Sequence, residues 1–123
     1  MDVPADRKYS ETHEWYKVEG KFVTLGITQF AADELTDITY VELPKVGSTV
    51  KPGVIGEIES VKATAELKCA VGGKVSAVNT TLADRPDLVN EDAFGAAWMV
   101  KIEATDLSAL DDLYDAAAYR EKI

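Results

Sequence analysis

Lys62 is the residue of this sequence whose setting best suits covalent attachment of a group. If residues 56–71 fold as a hairpin near Val61, Lys62 stands at the tip, where a modifying enzyme can reach it. Its long stem would also keep an attached group mobile. Glu59 and Glu66 would offer such an enzyme negative charge on the same hairpin. The residues next to the lysine are also typical of a solvated turn, and taken alone they favour that interpretation.

Cys69 and His13 are the other side chains that could act as a nucleophile and its base. Nothing in the sequence brings them together, and Cys69 is typical of a small, partly buried thiol in a strand. One cysteine and one histidine also fall short of the four ligands that structural zinc prefers. We therefore predict neither a catalytic residue nor a metal site.

The charge of the chain favours protein partners over nucleic acid. Among its 123 residues, 22 acidic and 13 basic side chains give a formal net charge of −9. This charge repels phosphate backbones and favours enzymes with basic docking faces. The single cysteine excludes an internal disulfide and suits a reducing compartment. The first ten residues lack the apolar core of a signal peptide, and no apolar run reaches membrane-span length. We expect a cytoplasmic protein without membrane or nucleic-acid partners.

The first half of the chain alternates short β-prone segments with turn signals. Residues 14–27 predict a hairpin, and residues 38–44 predict a strand. Between them, Thr28 is placed to cap a short helix over residues 30–35. The turn signals are Glu19-Gly20, Pro44 and Pro52-Gly53. Many short strands at this spacing indicate a β-sandwich or barrel.

A weak internal repeat supports the same class. Residues 49–59 and 88–103 each give a strand start, a polar turn, a glycine and an apolar strand that ends in Ile-Glu. We interpret them as two half-motifs joined by the lysine hairpin, with Asn90-Glu91-Asp92 as a turn. Within that hairpin, Ile58 and Leu67 stand at comparable distances from the tip and are predicted to anchor its two arms.

The end of the chain has helical periodicity. Four apolar side chains recur at helical spacing there: Leu107, Leu110, Leu113 and Tyr114. Ser108 and Asp111 form a possible capping pair. We predict a C-terminal helical tail over about residues 106–121 that packs on the sheet. The whole chain, 1–123, is predicted to be one domain with its hairpins over about residues 9–104.

Seven short motifs occur in one order along most of the chain. They are HEW at 13–15, GIT at 26–28, YVELP at 40–44, ESVKA at 59–63, VN at 78–79, LVNED at 88–92 and Trp98. Each motif is weak alone, but together, in this order and at this spacing, they are specific. From about Tyr9 to Tyr119, the chain resembles the H-protein family of the glycine cleavage system.

The resemblance implies a fold, a cofactor and a role. The fold is the barrel-sandwich hybrid of lipoyl and biotinyl domains, mainly β with short flanking helices that include a C-terminal one. In that family the lysine of ESVKA carries lipoate in amide linkage, and this lysine corresponds to Lys62. The chain would then be a carrier with a swinging arm and not an enzyme.

The resemblance also implies partners. Carriers of this family accept an aminomethyl group from a glycine decarboxylase that uses pyridoxal phosphate. They pass it to a tetrahydrofolate-dependent aminomethyltransferase, and a dihydrolipoyl dehydrogenase then reoxidises the dithiol. A lipoate ligase or an octanoyltransferase would act on Lys62 before any of these enzymes.

Four further residues receive roles. By the resemblance, Glu14 of HEW lies near the cleft that receives the loaded arm. If the arm folds back beside Trp15, Glu14 is the carboxylate best placed for its ammonium group. Glu59, three residues before Lys62, is predicted to be recognised by the lipoylating enzyme. Gly73 is a weaker candidate for the same recognition and could instead relieve a tight backbone.

Among the departures from the family pattern, three concern proline or glycine. Ala70 stands where family members usually have proline, and Thr36 and Ala97 stand where they usually have glycine. We expect Ala70 and Thr36 to alter backbone freedom more than carrier chemistry.

Three alternatives to this carrier stay open. A biotinyl carrier would share the fold, but its lysine typically lies between methionines, where this chain has Val61 and Ala63. A non-carrier interaction module would have lost the ESVKA environment, which is intact. An H-like paralogue that relays lipoyl groups to other enzymes would carry the same residues, and reconstitution of glycine cleavage would distinguish it.

Overall fold

The computed structural model describes residues 3–123 and contains two antiparallel β-sheets. The strands are β1 (Lys8–Tyr9), β2 (Glu14–Glu19), β3 (Phe22–Ile27), β4 (Ile38–Glu42), β5 (Thr49–Val50), β6 (Gly53–Ser60), β7 (Thr64–Cys69), β8 (Gly73–Val78) and β9 (Val100–Ala104). The helices are α1 (Gln29–Leu35), α2 (Thr81–Asp84), α3 (Leu88–Glu91), the 3-10 turn Ser108–Asp112 and α4 (Ala116–Lys122). The predicted mainly-β architecture with short flanking helices is confirmed.

The larger sheet has six strands in the order β1-β2-β3-β9-β8-β5, and the smaller has three in the order β4-β6-β7. Both sheets contribute fully buried side chains to one core, among them Leu25, Ile58, Leu67, Val75 and Ile102. A second cluster packs Tyr9 and Trp15 against Ala116 and Tyr119 of α4. No helix within residues 3–123 is long and apolar enough to cross a membrane. The assignment of residues 1–123 to one domain stays a prediction.

The β2–β3 hairpin and α1 form as predicted. Glu19 lies opposite Phe22, and Gly20 takes φ +63° in the turn between them. Only a residue without a Cβ adopts that conformation readily. Thr28 caps α1, because its Oγ1 accepts the Ala31 N–H at 3.2 Å. Local sequence signals were sufficient in this part of the chain.

The lysine hairpin is formed by β6 and β7, also as predicted. Glu59 pairs with Thr64 where the two strands meet the turn. Ile58 and Leu67 are both fully buried and anchor the two arms to the core. β4 lies beside β6 and confirms the predicted strand, although it ends two residues before Pro44.

The predicted internal repeat is wrong in its second half. Leu88–Glu91 forms helix α3 and not a strand start, and β9 belongs to the larger sheet whereas β6 belongs to the smaller one. Backbone hydrogen bonds within residues 87–92 close this helix, and the Asn90 side chain attaches it to the start of β4. Its Oδ1 accepts the Ile38 N–H at 2.9 Å, and its Nδ2 donates to the Thr36 carbonyl at 2.7 Å. Residues 49–59 and 88–103 therefore have different surroundings in the fold. This difference cannot be seen from the residues of the two segments themselves.

The predicted C-terminal helix is confirmed as α4, but the helical tail predicted over about residues 106–121 is not continuous. The chain forms the 3-10 turn Ser108–Asp112 and then becomes extended before α4 begins. Tyr114 and Tyr9 exchange two backbone hydrogen bonds, of 2.8 and 2.9 Å, in an isolated β-bridge. This pairing uses the backbone groups that a helix through Tyr114 would need, so the helical stripe is interrupted there.

The caps of the C-terminal segment differ from the prediction as well. Ser108 and Asp111 do not form a capping pair, since the Ser108 N–H donates to Asp106 Oδ1 at 2.9 Å. Asp115 caps α4 by accepting the Ala118 N–H at 2.8 Å. The Asp115 cap follows the β-bridge in the chain, and α4 therefore begins after the bridge.

Of the three residues that replace a proline or glycine of the family pattern, two have a clear structural consequence. Thr36 takes φ +63° and ψ −146°, a region that glycine occupies far more readily than threonine. Ala70 donates its N–H to the Tyr16 hydroxyl at 3.1 Å, a bond that proline could not make. Ala97 is buried and its φ is not positive, so alanine fits there.

Candidate functional site

Lys62 lies at the tip of the β6–β7 hairpin, on a turn held by one serine. The Ser60 N–H donates to the Ala63 carbonyl at 2.8 Å. The Ser60 Oγ accepts the N–H groups of Lys62 and Ala63, at 3.3 and 3.1 Å. The Lys62 side chain is exposed, and it forms no ion pair with any residue of 3–123. The turn backbone is therefore fixed while the amine is accessible.

The start of β4 supports this turn from one side. The Val61 N–H donates to the Asp37 carbonyl at 3.1 Å, and the Thr39 hydroxyl donates to the Glu59 carbonyl at 3.2 Å. Val61 is nevertheless 66% exposed, beside the lysine. An enzyme that binds Lys62 would thus also meet an apolar side chain on a rigid backbone.

The outer face of the smaller sheet is acidic. Glu42 pairs with Glu57, and Glu57 pairs with Glu66, so three glutamates form one row across the strands. Glu59 is on the same face of β6, nearer the lysine. All four are exposed, and within residues 3–123 none takes part in an ion pair. Directly opposed like charges oppose sheet formation. We call Glu42, Glu57, Glu59 and Glu66 the acidic face.

Gly73 has a structural role in the larger sheet. A Cβ added to it would lie 2.1 Å from the Glu103 carbonyl oxygen, which is a severe clash. The neighbouring Gly72 packs on Pro52, at the base of the lysine hairpin, whereas Glu59 is near its tip. The structure does not bring Gly73 and Glu59 together.

Glu14 is buried at the start of β2, with three donors on its carboxylate. The Ser10 hydroxyl donates to Oε1 at 2.6 Å, and the Thr12 hydroxyl donates to the same oxygen. The backbone N–H of Lys68 donates to Oε2 at 3.3 Å. Lys68 belongs to β7, the arm that returns from Lys62, so the carboxylate lies against this strand near the end that is away from the lysine turn.

Burial raises the pKa of Glu14 above its ordinary value, and the Ser10, Thr12 and Lys68 donors partly offset this shift. Glu14 is 1% exposed, but Thr12 is exposed, so the carboxylate lies one side chain below the surface. A carboxylate with little water and fixed donors attracts a cation more strongly than a solvated one does.

Trp15 faces the other side of β2. Its indole N–H donates to the Ala93 carbonyl at 3.0 Å, and the Arg7 guanidinium lies 4.6 Å from its ring centroid. It lines a groove of about 370 Å³ on the outside of the larger sheet, together with Lys17. Consecutive strand residues face opposite sides, so Glu14 and Trp15 do not share one surface.

Cys69 and His13 have separate environments. Cys69 is buried in β7 and donates from Sγ to the Val71 carbonyl at 3.2 Å, and burial raises the pKa of its thiol to about 11. A thiol that stays protonated at neutral pH is a poor nucleophile. The Nδ1 of His13 lies 2.7 Å from the Tyr119 hydroxyl instead.

Ser10 and Thr12 were missed by reasoning from the sequence. The only signal was two hydroxyls at even spacing before Glu14. In an extended chain these residues would spread over about 13 Å. The turn brings them together, because the His13 N–H donates to the Ser10 carbonyl at 3.1 Å and the Ser10 N–H donates to the Glu14 carbonyl at 2.9 Å.

The fold and the lysine turn define the class of protein. Two antiparallel sheets enclose one core, and a hairpin anchored in that core presents an exposed lysine on a hydrogen-bonded turn. This arrangement is that of a lipoyl-type carrier domain.

Sequence and structure comparisons then identify the family. The family model of the glycine cleavage H-protein matches residues 7–123. The chain is 51% identical to the glycine cleavage system H protein of Staphylococcus haemolyticus, over 100% of this chain and 98% of the relative. It is 50% identical to that of Bacillus cereus, over 98% of this chain and 96% of the relative. The chain belongs to the glycine cleavage H-protein family.

A solved structure agrees. The crystal structure of a glycine cleavage system H protein from Mycobacterium marinum matches with a TM-score of 0.89 and 35% identity, over 98% of both chains. The predicted family and the predicted barrel-sandwich fold are both confirmed. Membership of this family supports a carrier role in the glycine cleavage system.

Proposed function

We propose that this chain carries lipoate in amide linkage on Lys62 and shuttles an aminomethyl group from glycine decarboxylase to the aminomethyltransferase. It would then deliver electrons to dihydrolipoyl dehydrogenase. The observation that carries the proposal is the accessible Lys62 amine on a fixed turn, in a chain of this family. Tethering raises the effective concentration of the cargo at each partner in turn.

The residues around Lys62 fit an attached arm. The turn uses only the backbone N–H of Lys62, so acylation of its Nζ breaks no bond of the turn. Ala63 and Thr64 are small and exposed, which leaves room beside the amide. When bound, lipoate supplies the sulfur chemistry, and the protein positions and shields it.

Glu14 is proposed to hold the ammonium group of the loaded arm. An aminomethyl group bonded to sulfur is lost to water when the lone pair of its nitrogen expels the thiolate. Protonation of the nitrogen removes that lone pair. A nearby carboxylate favours the charged form and raises the pKa of the amine. Glu14 supports this role because its carboxylate lies against β7 with donors from Ser10 and Thr12.

Glu59 is proposed as a residue that the lipoylating enzyme recognises. It is the member of the acidic face nearest the turn, and it is exposed. A basic enzyme surface would relieve the repulsion among the four glutamates. Gly73 stays a weaker proposal, since its close contact with the Glu103 carbonyl already explains a glycine there.

Mass spectrometry of protein from lipoylating cells tests the attachment. Lys62→Arg keeps the charge and should abolish both the added lipoyl mass and carrier activity in reconstituted glycine cleavage. Its melting temperature should stay close to that of the wild type, because an exposed turn side chain contributes little stability. Lys68→Arg, an exposed lysine of the same hairpin, is the matched control and should be fully lipoylated.

Two outcomes would contradict the proposal, and a third would redirect it. Lipoyl mass on Lys62→Arg, or its loss from Lys68→Arg, would refute Lys62 as the attachment site. Full lipoylation of the wild type without activity in glycine cleavage would instead favour the lipoyl-relay paralogue.

A further inference from the structure

We propose that Tyr119 of the C-terminal helix α4 is a positioning residue for the Glu14 carboxylate. The proposal rests on the role proposed above for Glu14, and it extends that site to an element at the other end of the chain. Tyr119 does not touch Glu14 through a hydrogen bond. It would act through His13, the residue before Glu14.

The Tyr119 hydroxyl is buried and lies within hydrogen-bond distance of two other side chains. It lies 2.7 Å from His13 Nδ1 and 2.7 Å from Thr28 Oγ1, and Tyr119 is 0% exposed. Its ring stacks on that of Tyr9, with centroids 4.8 Å apart. One hydroxyl therefore joins α4 to the HEW turn and to the residue that caps α1.

His13 needs such support because its backbone is unusual. Its φ is +71°, a left-handed conformation that is unfavourable for a residue with a side chain. Its N–H donates to the Ser10 carbonyl at 3.1 Å, and its carbonyl accepts the Thr28 N–H at 2.9 Å. The ring contact with Tyr119 is the third restraint, and it alone comes from the C-terminal end of the chain.

The conformation of His13 decides where the donors of Glu14 lie. The turn from Ser10 to Glu14 folds Ser10 and Thr12 back onto the carboxylate, and the Ser10 Oγ also accepts the Glu14 N–H at 2.9 Å. If His13 leaves the left-handed region, both hydroxyls move away from Oε1. The carboxylate would then keep its burial and the Lys68 N–H, but lose donors that lower its pKa.

Removal of one hydroxyl should leave α4 docked. The Tyr9–Tyr114 β-bridge, the Asp115 cap and the stack on Tyr9 do not involve the Tyr119 hydroxyl. An effect of Tyr119→Phe on Glu14 would therefore report positioning and not loss of the helix. Tyr9→Phe is the matched control, because the Tyr9 hydroxyl donates to the Pro4 carbonyl and not to the HEW turn.

The test follows Glu14 in the unmodified protein by carboxyl carbon-13 NMR against pH. Tyr119→Phe should raise the titration midpoint of Glu14, whereas Tyr9→Phe should leave it unchanged. The Lys68 side chain, which also acts on Glu14 electrostatically, is the same in all three proteins. In loaded carrier without the aminomethyltransferase, Tyr119→Phe should release formaldehyde faster than Tyr9→Phe does.

A double-mutant cycle separates positioning from general damage. Glycine adopts the left-handed conformation without strain, so His13→Gly should make the Glu14 midpoint insensitive to Tyr119→Phe. An unchanged midpoint in Tyr119→Phe would overturn the proposal. So would an equal shift in Tyr9→Phe, or an undiminished shift on the His13→Gly background. If Glu14→Gln does not alter release from the loaded carrier, the proposed role of Glu14 fails, while the NMR titration still decides on Tyr119.

Discussion

The buried Glu14 carboxylate lowers the stability of the folded protein, and the same burial suits it to the role proposed for it. A buried carboxylate is unfavourable at neutral pH, and Ser10 and Thr12 only partly compensate for the lost water. The same desolvation would make the carboxylate an effective partner for an ammonium group. Such a residue is more typical of a functional site than of a core.

The first residue-scale prediction concerns release from the loaded carrier. Glu14→Gln should load normally but release formaldehyde and ammonia faster in the absence of the aminomethyltransferase. A loss of one pKa unit from the bound amine would correspond to about tenfold. The defect should grow as the pH rises, because less of the unassisted amine stays protonated. Time courses of formaldehyde release at several pH values measure this, and coincident curves would remove Glu14 from the site.

Thermal unfolding provides the control for that variant. The folded-state pKa of Glu14 lies above the unfolded one, so the folded state binds more protons between the two values. Stability due to Glu14 therefore falls as the pH rises through this window. Glutamine lacks this titration, so its melting temperature relative to wild type should improve as the pH rises above the unfolded-state pKa of about 4.3.

A second residue-scale prediction concerns Thr36. Its glycine-like backbone costs about 1–3 kcal/mol, whereas a glycine would lose about 0.5–1 kcal/mol through the freedom of the unfolded chain. For a net gain of about 1 kcal/mol, Thr36→Gly should raise the melting temperature by about 3–5 °C. Thr80→Gly, at an exposed threonine with φ −66°, is the matched control and should lower it. A lower melting temperature for Thr36→Gly would show that the side chain compensates for its backbone.

At the scale of elements, the two faces of the β6–β7 hairpin have different roles: one anchors the hairpin in the core, and the other presents the charges proposed for enzyme recognition. Its inner face carries Ile58 and Leu67 into the core, and its outer face carries Glu57, Glu59 and Glu66. The turn between them is rigid because Ser60 bonds to its backbone. Recognition by charge and presentation of the lysine thus reside on one element, held in place by burial on its other face.

Lipoylation kinetics test this element. Glu59→Gln should lower kcat/KM for the lipoate ligase about fivefold at low salt, equivalent to about 1 kcal/mol. The difference should shrink at about 1 M salt, where the Debye length is about 3 Å. Glu121→Gln removes an exposed charge from α4 and should have no such effect. Equal rates for Glu59→Gln and wild type at low salt would refute recognition of Glu59.

At the scale of the whole molecule, charge is unevenly arranged. The net charge is −9, and the acidic face concentrates part of it beside Lys62. The groove on the outside of the larger sheet is lined instead by Arg7, Lys17 and Lys101 among others. A partner with a basic face is therefore steered towards the lysine side of the molecule.

The sequence by itself determined the features that depend on neighbouring residues. The β2–β3 hairpin, the Thr28 cap and the lysine hairpin follow from turn residues, capping residues and alternation, which act over a few positions. The family followed from seven motifs in order. The exposure of Lys62 followed from the same local signals, because a lysine at a hairpin tip needs no distant residue to expose it, whereas its role as the attachment site rests on the family resemblance and stays a proposal.

Only the tertiary structure decided what depends on residues far apart in the chain. The Tyr9–Tyr114 bridge interrupts the predicted C-terminal helical tail, and Asn90 attaches α3 to the start of β4 where a strand start was predicted. The placement of Glu14 against Lys68 likewise joins two distant strands. Such contacts form only once the chain is closed on itself, and their hydrogen bonds then outweigh weak local preferences. Local residues therefore predicted which elements form, and long-range pairing decided where they end and which side chains meet.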